Sequence, residues 1–273
     1  MTSVSFTTRP LVTLLFAIAG AFPDTALAQK SAEELAKQLA NPIASLISVP
    51  FQLNYDRGIG PARDGTRWQL NIQPVVPIEL NKEWNVISRT ILPVVSQDDV
   101  FPGAGNQFGI GDTVQSLFFS PKAPTAGGWI LGAGPVLLVP TGSDDLLSGK
   151  KWGAGPTAVA LKQDGPLTYG ALANHIWSFA GSDSRPDISA TFIQPFITYT
   201  TPTAWSFGLT TESTYDWKAA QWTVPVIATV SKVTKIGDQL ISVGGGVRYW
   251  VDSPDNRAHG LGFRLIFTLL FPK

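Results

Sequence analysis

Few side chains in this sequence are equipped for covalent chemistry. It has two histidines and no cysteine, which excludes thiolate nucleophiles, thiolate metal sites and disulfides. His175 lies in the run Asn174-His175-Ile176-Trp177-Ser178, the residue types of a Ser/His/Asn hydrolase site. In extended chain, however, residues three apart point to opposite faces, and a nucleophile must sit within hydrogen-bond reach of its base. His259 has no such company, and neither ring has a second ligand at metal-binding spacing. Gly244-Gly245-Gly246 leads into Val247-Arg248-Tyr249-Trp250. It reads as glycine inside a strand, allowing curvature or close approach, and not as a phosphate loop. The expectation is no catalytic residue, no metal and no cofactor.

The spacing that carries information belongs to polar residues at every second position. Arg67, Gln69, Asn71 and Gln73 alternate with Trp68, Leu70 and Ile72. From Trp205, one set is Trp205, Phe207, Leu209, Thr211, Ser213, Tyr215 and Trp217. The other set is Ser206, Gly208, Thr210, Glu212, Thr214 and Asp216. Arg248 and Arg264 stand likewise on alternate faces of apolar runs. Period two is the signature of a strand with unlike faces. If the strands close on themselves, Arg67, Gln69, Asn71, Gln73, Glu212, Asp216, Arg248 and Arg264 line the inside. Two readings of that set stay open: a salt-bridge network that fills the interior, and a polar lining that tunes the passage of a solute.

Twelve such strands can be counted, at about 45–56, 66–77, 84–95, 111–121, 129–140, 153–163, 167–179, 188–200, 205–217, 222–233, 240–251 and 260–271. Alternation is muddier in the third, fourth and seventh, whose facing stays open. Two uncharged stretches, 123–143 and 188–211, contain several prolines. Interior Pro costs a helix about 3 kcal/mol, so these are not membrane helices. Strands of 11–13 residues match a tilted membrane strand better than the usual length of about 5–6. Connectors alternate between longer, charged ones and turn-length ones, as expected of outer loops and periplasmic turns. An even count leaves both termini in the periplasm.

Tryptophan placement is an independent sign. Trp84, Trp129 and Trp205 fall at one set of strand ends; Trp68, Trp152, Trp177, Trp217, Trp222 and Trp250 fall near the other. Two aromatic girdles at the membrane interfaces would place them so. Strand prolines Pro74, Pro93, Pro135, Pro195 and Pro225 should mark bulges or distortions. The architecture expected is all-β: an antiparallel up-and-down transmembrane β-barrel of about twelve strands with a short N-terminal helix.

Before the barrel come two short segments. Arg9, the apolar run 11–22, Pro23 and Ala26-Leu27-Ala28 have the order of a secretory signal peptide, assigned to 1–28. Segment 29–44 contains Ser31-Ala-Glu-Glu34, a capping box, ahead of Asn41-Pro42. It reads as a short periplasmic helix, more a loose extension than a plug. The barrel takes 45–273.

Charge agrees. Only 15% of residues are charged, with 20 basic and 20 acidic, against about a quarter in soluble domains. A neutral chain lacks the electrostatic footprint of a nucleic-acid binder. A lipid-facing Arg or Lys at mid-bilayer costs about 2–4 kcal/mol, which explains the economy. The equal signs suggest a lumen with no strong preference for cations or anions.

Several stretches also resemble a known family. They are Gly109-Ile110-Gly111-Asp112, Phe118-Phe119-Ser120-Pro121, Gly149-Lys150-Lys151-Trp152-Gly153-Ala154-Gly155-Pro156, Asn174-His175-Ile176-Trp177-Ser178-Phe179-Ala180-Gly181, Glu212-Ser213-Thr214-Tyr215-Asp216-Trp217 and Leu269-Leu270-Phe271-Pro272-Lys273. These are similar to small Gram-negative outer-membrane transporters, labelled neuromedin U-like and related to MetA-type phenol-degradation barrels. The resemblance implies a barrel in the outer membrane that transports small compounds, aromatic or apolar ones among them. It carries over no functional residue. The expected partners are outer-membrane lipids, a small solute and, during assembly, the barrel-insertion machinery. Loops 96–110 and 141–152 would gate the outer mouth. The alternatives are a lipid-acting outer-membrane enzyme and a closed structural barrel.

Overall fold

A computed structural model describes residues 31–272. The expected signal peptide, 1–28, lies outside the described residues. Fifteen hydrogen-bonded strand segments follow one helix: α1 (Ala32–Leu39), β1 (Ile47–Ile59), β2 (Gly65–Ile72), β3 (Val75–Glu79), β4 (Trp84–Asp98), β5 (Asn106–Ile110), β6 (Thr113–Pro121), β7 (Trp129–Val139), β8 (Lys151–Asp164), β9 (Leu167–Gly181), β10 (Ser189–Thr200), β11 (Trp205–Thr211), β12 (Ser213–Asp216), β13 (Gln221–Ile236), β14 (Gln239–Asp252) and β15 (Gly260–Phe271). The pairs β2–β3, β5–β6 and β11–β12 are single strands interrupted once, giving a closed antiparallel barrel of twelve strands. Closure is made by β1 against β15, from Ile47 opposite Phe271 to Tyr55 opposite Phe263.

The interruptions have a local cause. Proline offers no N–H to a ladder. The β2–β3 break falls at Gln73-Pro74. The β5–β6 break falls at Gly111, whose N–H donates to the Pro93 carbonyl. Glu212, between β11 and β12, faces Pro225, where β13 also shifts register against β14. Pro135 faces Pro156 across β7 and β8. Pairing between β6 and β7 also lapses there, between Ser116–Val136 and Phe119–Ala133.

Faces follow the pleat. On β15, Leu261, Phe263, Leu265 and Phe267 are exposed, while Gly262, Arg264, Thr268 and Leu270 are buried. Apolar side chains outside and polar ones inside is the inverse of a soluble barrel and suits hydrocarbon. Full closure leaves no strand edge to be satisfied there.

Helix α1 starts as the capping box dictates. Ser31 Oγ accepts from the Glu34 N–H, and Glu34 returns the bond to the Ser31 N–H, each at 3.1 Å. Lys37 reaches back to Glu33 at 2.8 Å, one turn away. The helix is not a loose extension. Leu35 and Ala36 are buried against Ala204, Val233, Leu240 and Leu270 at the mouth nearest the termini. Gln163 Nε2 donates to the Lys37 carbonyl. The chain then crosses the mouth, and Ile43 packs on Ile87, Phe118, Val159, Leu161 and Leu172 of the far wall. Residues 31–46 therefore fill this end of the lumen, because two apolar side chains a helix-length apart find apolar wall on opposite sides.

That plug explains the muddy strands. Ile87 of β4, Phe118 of β6 and Leu172 of β9 are inward and apolar because they cover Ile43. On the outer face of β4 and β6, Ser88, Thr90 and Gln115 satisfy one another. Thr90 Oγ1 donates to Gln115 Oε1 at 2.5 Å, and Gln115 Nε2 donates to Ser88 Oγ at 3.0 Å.

Candidate functional site in the barrel lumen

Inside the barrel, Arg264 and Arg248 form a layer on the adjacent strands β15 and β14. Arg264, on β15, is buried and makes a two-pronged bond to Glu212, Nη1 to Oε1 at 2.7 Å and Nη2 to Oε2 at 2.8 Å. Its Nε donates to Asn54 Oδ1 at 2.7 Å. Fork-on-carboxylate geometry fixes both partners. Glu212 can project this way because the strand is interrupted at its backbone. Beside it, Arg248 Nη1 lies 3.3 Å from Asp56 Oδ2, and its guanidinium stacks 4.4 Å from the Trp250 ring. Gly262 makes room: a Cβ there would stand 2.9 Å from Asp56 Oδ1 and 2.5 Å from the Tyr55 carbonyl. Likewise a Cβ on Gly246 would stand 2.3 Å from the Ala228 carbonyl, so the glycines of β14 serve close approach to β13.

Two further arginines hold amides. Arg67 Nε donates to Gln97 Oε1 at 2.9 Å; Gln97 Nε2 donates to Gln107, which in turn bonds the Ala104 and Gly105 carbonyls. Arg89 Nη2 donates to Gln73 Oε1 at 3.1 Å, and Gln73 Nε2 donates to Gln52 Oε1 at 2.8 Å. Gln69 Nε2 donates to Asn71 Oδ1 at 2.8 Å.

The layer separates two cavities. One, about 230 Å³, lies between the plug and the layer and is lined by Arg89, Gln73, Gln194, Glu212, Phe196 and Ile266 among others. The second, about 320 Å³, lies toward the long loops, with Arg67, Gln97, Asp112, Ser148 and Arg257 on its walls. Loop 140–150 bounds it and is anchored by Asp112, which accepts from the Gly142 and Gly149 amides and the Ser148 hydroxyl. Arg185 donates to the Asp145 carbonyl at 2.5 Å, and Lys151 pairs with Asp187 at 3.0 Å, tying loop 182–188 alongside. Lys150 pairs with Asp145 within the loop. Both carboxyls are held below the usual carboxylate range, Asp145 chiefly by the Lys150 hydrogen bond and Asp187 chiefly by that of Lys151.

Of the residues singled out in sequence, Arg67, Gln69, Asn71, Gln73, Glu212, Arg248 and Arg264 stand on this inner wall. Asp216 does not join them. It is exposed and caps the following turn, accepting from the Lys218 and Ala219 amides. Trp250 departs from the girdle, its indole N–H donating to Asp56 Oδ1 at 2.9 Å inside the barrel. The other tryptophans (Trp68, Trp84, Trp129, Trp152, Trp177, Trp205, Trp217 and Trp222) are exposed near the strand ends.

Arg89, Asn54, Asp56 and Gln97 were not singled out. Asn54 and Asp56 alternate with Leu53 and Tyr55 in the first strand, which was a signal for an inward position. Arg89 lay in a muddy strand, where the penalty for an arginine facing lipid was the available signal. His175 faces outward, its ring tilted at 42° to that of Trp177 with centroids 4.0 Å apart, and hydrogen-bonded through Nδ1 to Thr191 Oγ1 at 2.7 Å. Ser178 bonds Asp187 and the Ile188 amide instead.

An outward apolar wall, two sets of rim tryptophans and a polar interior belong together in one kind of protein. The fold is the outer-membrane β-barrel. Solved structures agree. An outer membrane channel from Pseudomonas putida F1 superposes with a TM-score of 0.65 at 15% identity, over 83% of this chain and 96% of that one. The outer membrane phospholipase A of Escherichia coli gives 0.50 at 11% identity, over 82% and 90%. At such identities the likeness is one of fold. No family model and no curated protein matches the chain.

Proposed function

We propose that this chain is a passive channel of the Gram-negative outer membrane for small molecules, aromatic or apolar compounds among them. The observation that carries it is the lumen: a closed barrel with a polar inner wall and a cavity on each side of a narrow arginine layer. A salt-bridge network that filled the interior would leave no such space. Twelve strands enclose less than the open lumens of 16–18, so passage is limited to small solutes and requires movement of the plug or the layer. The structural resemblance to an outer membrane channel supports the same reading. Planar-bilayer recording on refolded protein tests it: discrete conductance steps are expected, and silence from protein that is folded on gels overturns it.

A second reading, a lipid-acting hydrolase, draws on one observation. His175 Nε2 lies 3.4 Å from Ser189 Oγ on the outward face. Its Nδ1 meets a hydroxyl, which stabilises an imidazolium less than a carboxylate does. Release of fatty acid from phospholipid that disappears in His175→Ala is the result that would favour it.

A further inference from the structure

The charges of the inner wall do not balance locally. Four strand arginines, Arg67, Arg89, Arg248 and Arg264, share the lumen with Asp56 and Glu212; toward the loops Arg257 and Asp112, the latter engaged by Gly142, Ser148 and Gly149, add one charge of each sign. Asp56 and Glu212 are engaged by Arg248 and Arg264. Arg89 makes its hydrogen bond to the amide of Gln73, feels Glu212 across the cavity without an ion pair to it, and lines the cavity above the plug. A guanidinium carries five donors, and burying a charge without a counter-charge in contact is costly. An incoming anion offsets that cost.

The rest of the cavity describes the anion. Its walls also include Leu46, Val75, Phe196 and Ile266, together with Gln52 and Gln194. A cavity of about 150 Å³ holds a benzene ring, so about 230 Å³ holds one ring or short chain and a carboxylate, and little more. Drug-sized ligands need about 300–1,000 Å³. Glu212 also lines the space, but its charge is taken up by the two-pronged bond to Arg264. We infer that this cavity binds a small monocarboxylate with an apolar body, its carboxylate on Arg89 and its body against Phe196 and Ile266. The planar fork of arginine matches a carboxylate; a neutral or cationic analogue of the same shape forfeits that bond. The inference deepens the channel reading and rests on it.

The test uses full-length refolded protein and three probes of one shape: benzoate, benzyl alcohol and benzylamine. Benzoate is expected to interrupt the current at concentrations at least ten-fold below the other two. Arg89→Gln is expected to weaken that block ten-fold or more, and Arg89→Lys to restore part of it. Equal block by all three probes, or block unchanged in Arg89→Gln, overturns the site. Tryptophan-fluorescence titration in detergent, on samples shown to be folded by gel mobility, separates the two readings. Benzoate binding without conductance removes the channel and keeps the site. Conductance without preference for benzoate removes the site and keeps the channel. If neither variant folds, the three-probe comparison on the unaltered protein decides alone.

Discussion

At the scale of single residues, the Glu212–Arg264 pair shows what a buried charge requires. Arg264 keeps 4% of its side-chain surface and Glu212 21%. Removing one partner of a buried pair strands the other, at about 3–5 kcal/mol. Replacing both with apolar groups of similar volume removes the desolvation cost along with the attraction. Glu212→Gln should therefore lower unfolding stability in lipid vesicles, read by urea titration, by about 3–5 kcal/mol. Glu212→Leu with Arg264→Met should lose clearly less than the single change. A double variant as damaged as Glu212→Gln would show that the pair acts through something other than its charge. This pair also marks a limit of reading from sequence. The alternation placed both residues inward, but the two-pronged contact depends on the curvature of the wall, which lets long side chains on β11–β12 and β15, with β13 and β14 between them, meet inside the barrel. Arg89 hid because its strand alternates poorly, and it alternates poorly because Ile87 two residues earlier serves the plug. Asp216 misled in the opposite way: a strand's last residue keeps its parity in the sequence while its side chain turns to cap the next loop.

At the scale of elements, the plug makes two kinds of claim. Its first turn was legible from four residues, since a capping box is a local agreement between side chains and backbone. Its position was not, since Leu35 and Ile43 are anchored by walls far away in the chain. Deleting 31–44 removes that obstruction and leaves the closing ladder of β1 and β15 intact. The deletion should give a folded barrel with several-fold larger conductance steps. Unchanged steps would place the restriction in the arginine layer. The strands themselves were legible almost end to end, with twelve expected and twelve observed, because lipid outside and polar groups inside impose period two on most of them; β4, β6 and β9 alternate less cleanly where their inner face is apolar against the plug. The outer loops respond to pH in a direction set by their carboxyls. Asp145 and Asp187 titrate below the ordinary range, so their pairs with Lys150 and Lys151 are present above about pH 4 and are lost only as pH falls below it. Hydrogen exchange of 140–150 and 182–188 should thus stay protected from pH 7 to 5 and open under stronger acid. Opening already at pH 5 would contradict these pairings, and Asp187→Asn should raise exchange of 182–188 between pH 7 and 5 and converge with the unaltered protein in stronger acid.

At the scale of the whole molecule, the orientation of the barrel wall in a membrane rests on its tryptophans. Trp84, Trp129 and Trp205 stand at the end nearer the termini, with Lys232 5.0 Å over the Trp205 ring. That placement lets the ammonium reach toward the headgroups while its stem covers apolar wall. Trp68, Trp152, Trp177, Trp217 and Trp222 stand at the other end. Trp217 donates to Thr191 Oγ1 at 2.8 Å, which fixes its ring against the wall. Trp250 is separate from both sets, held inside by Asp56. Indoles at the two interfaces and none at mid-bilayer predict a depth profile. In vesicles of brominated lipid, bromines near the headgroup should quench fluorescence more strongly than bromines at the chain ends. Trp250→Phe should leave that contrast unchanged, since its ring is screened by the wall. Trp205→Phe, by contrast, should reduce the headgroup component alone. A profile that rises toward the bilayer centre would mean that the wall does not span the membrane in this orientation, and would count against a transmembrane barrel however well the strands close.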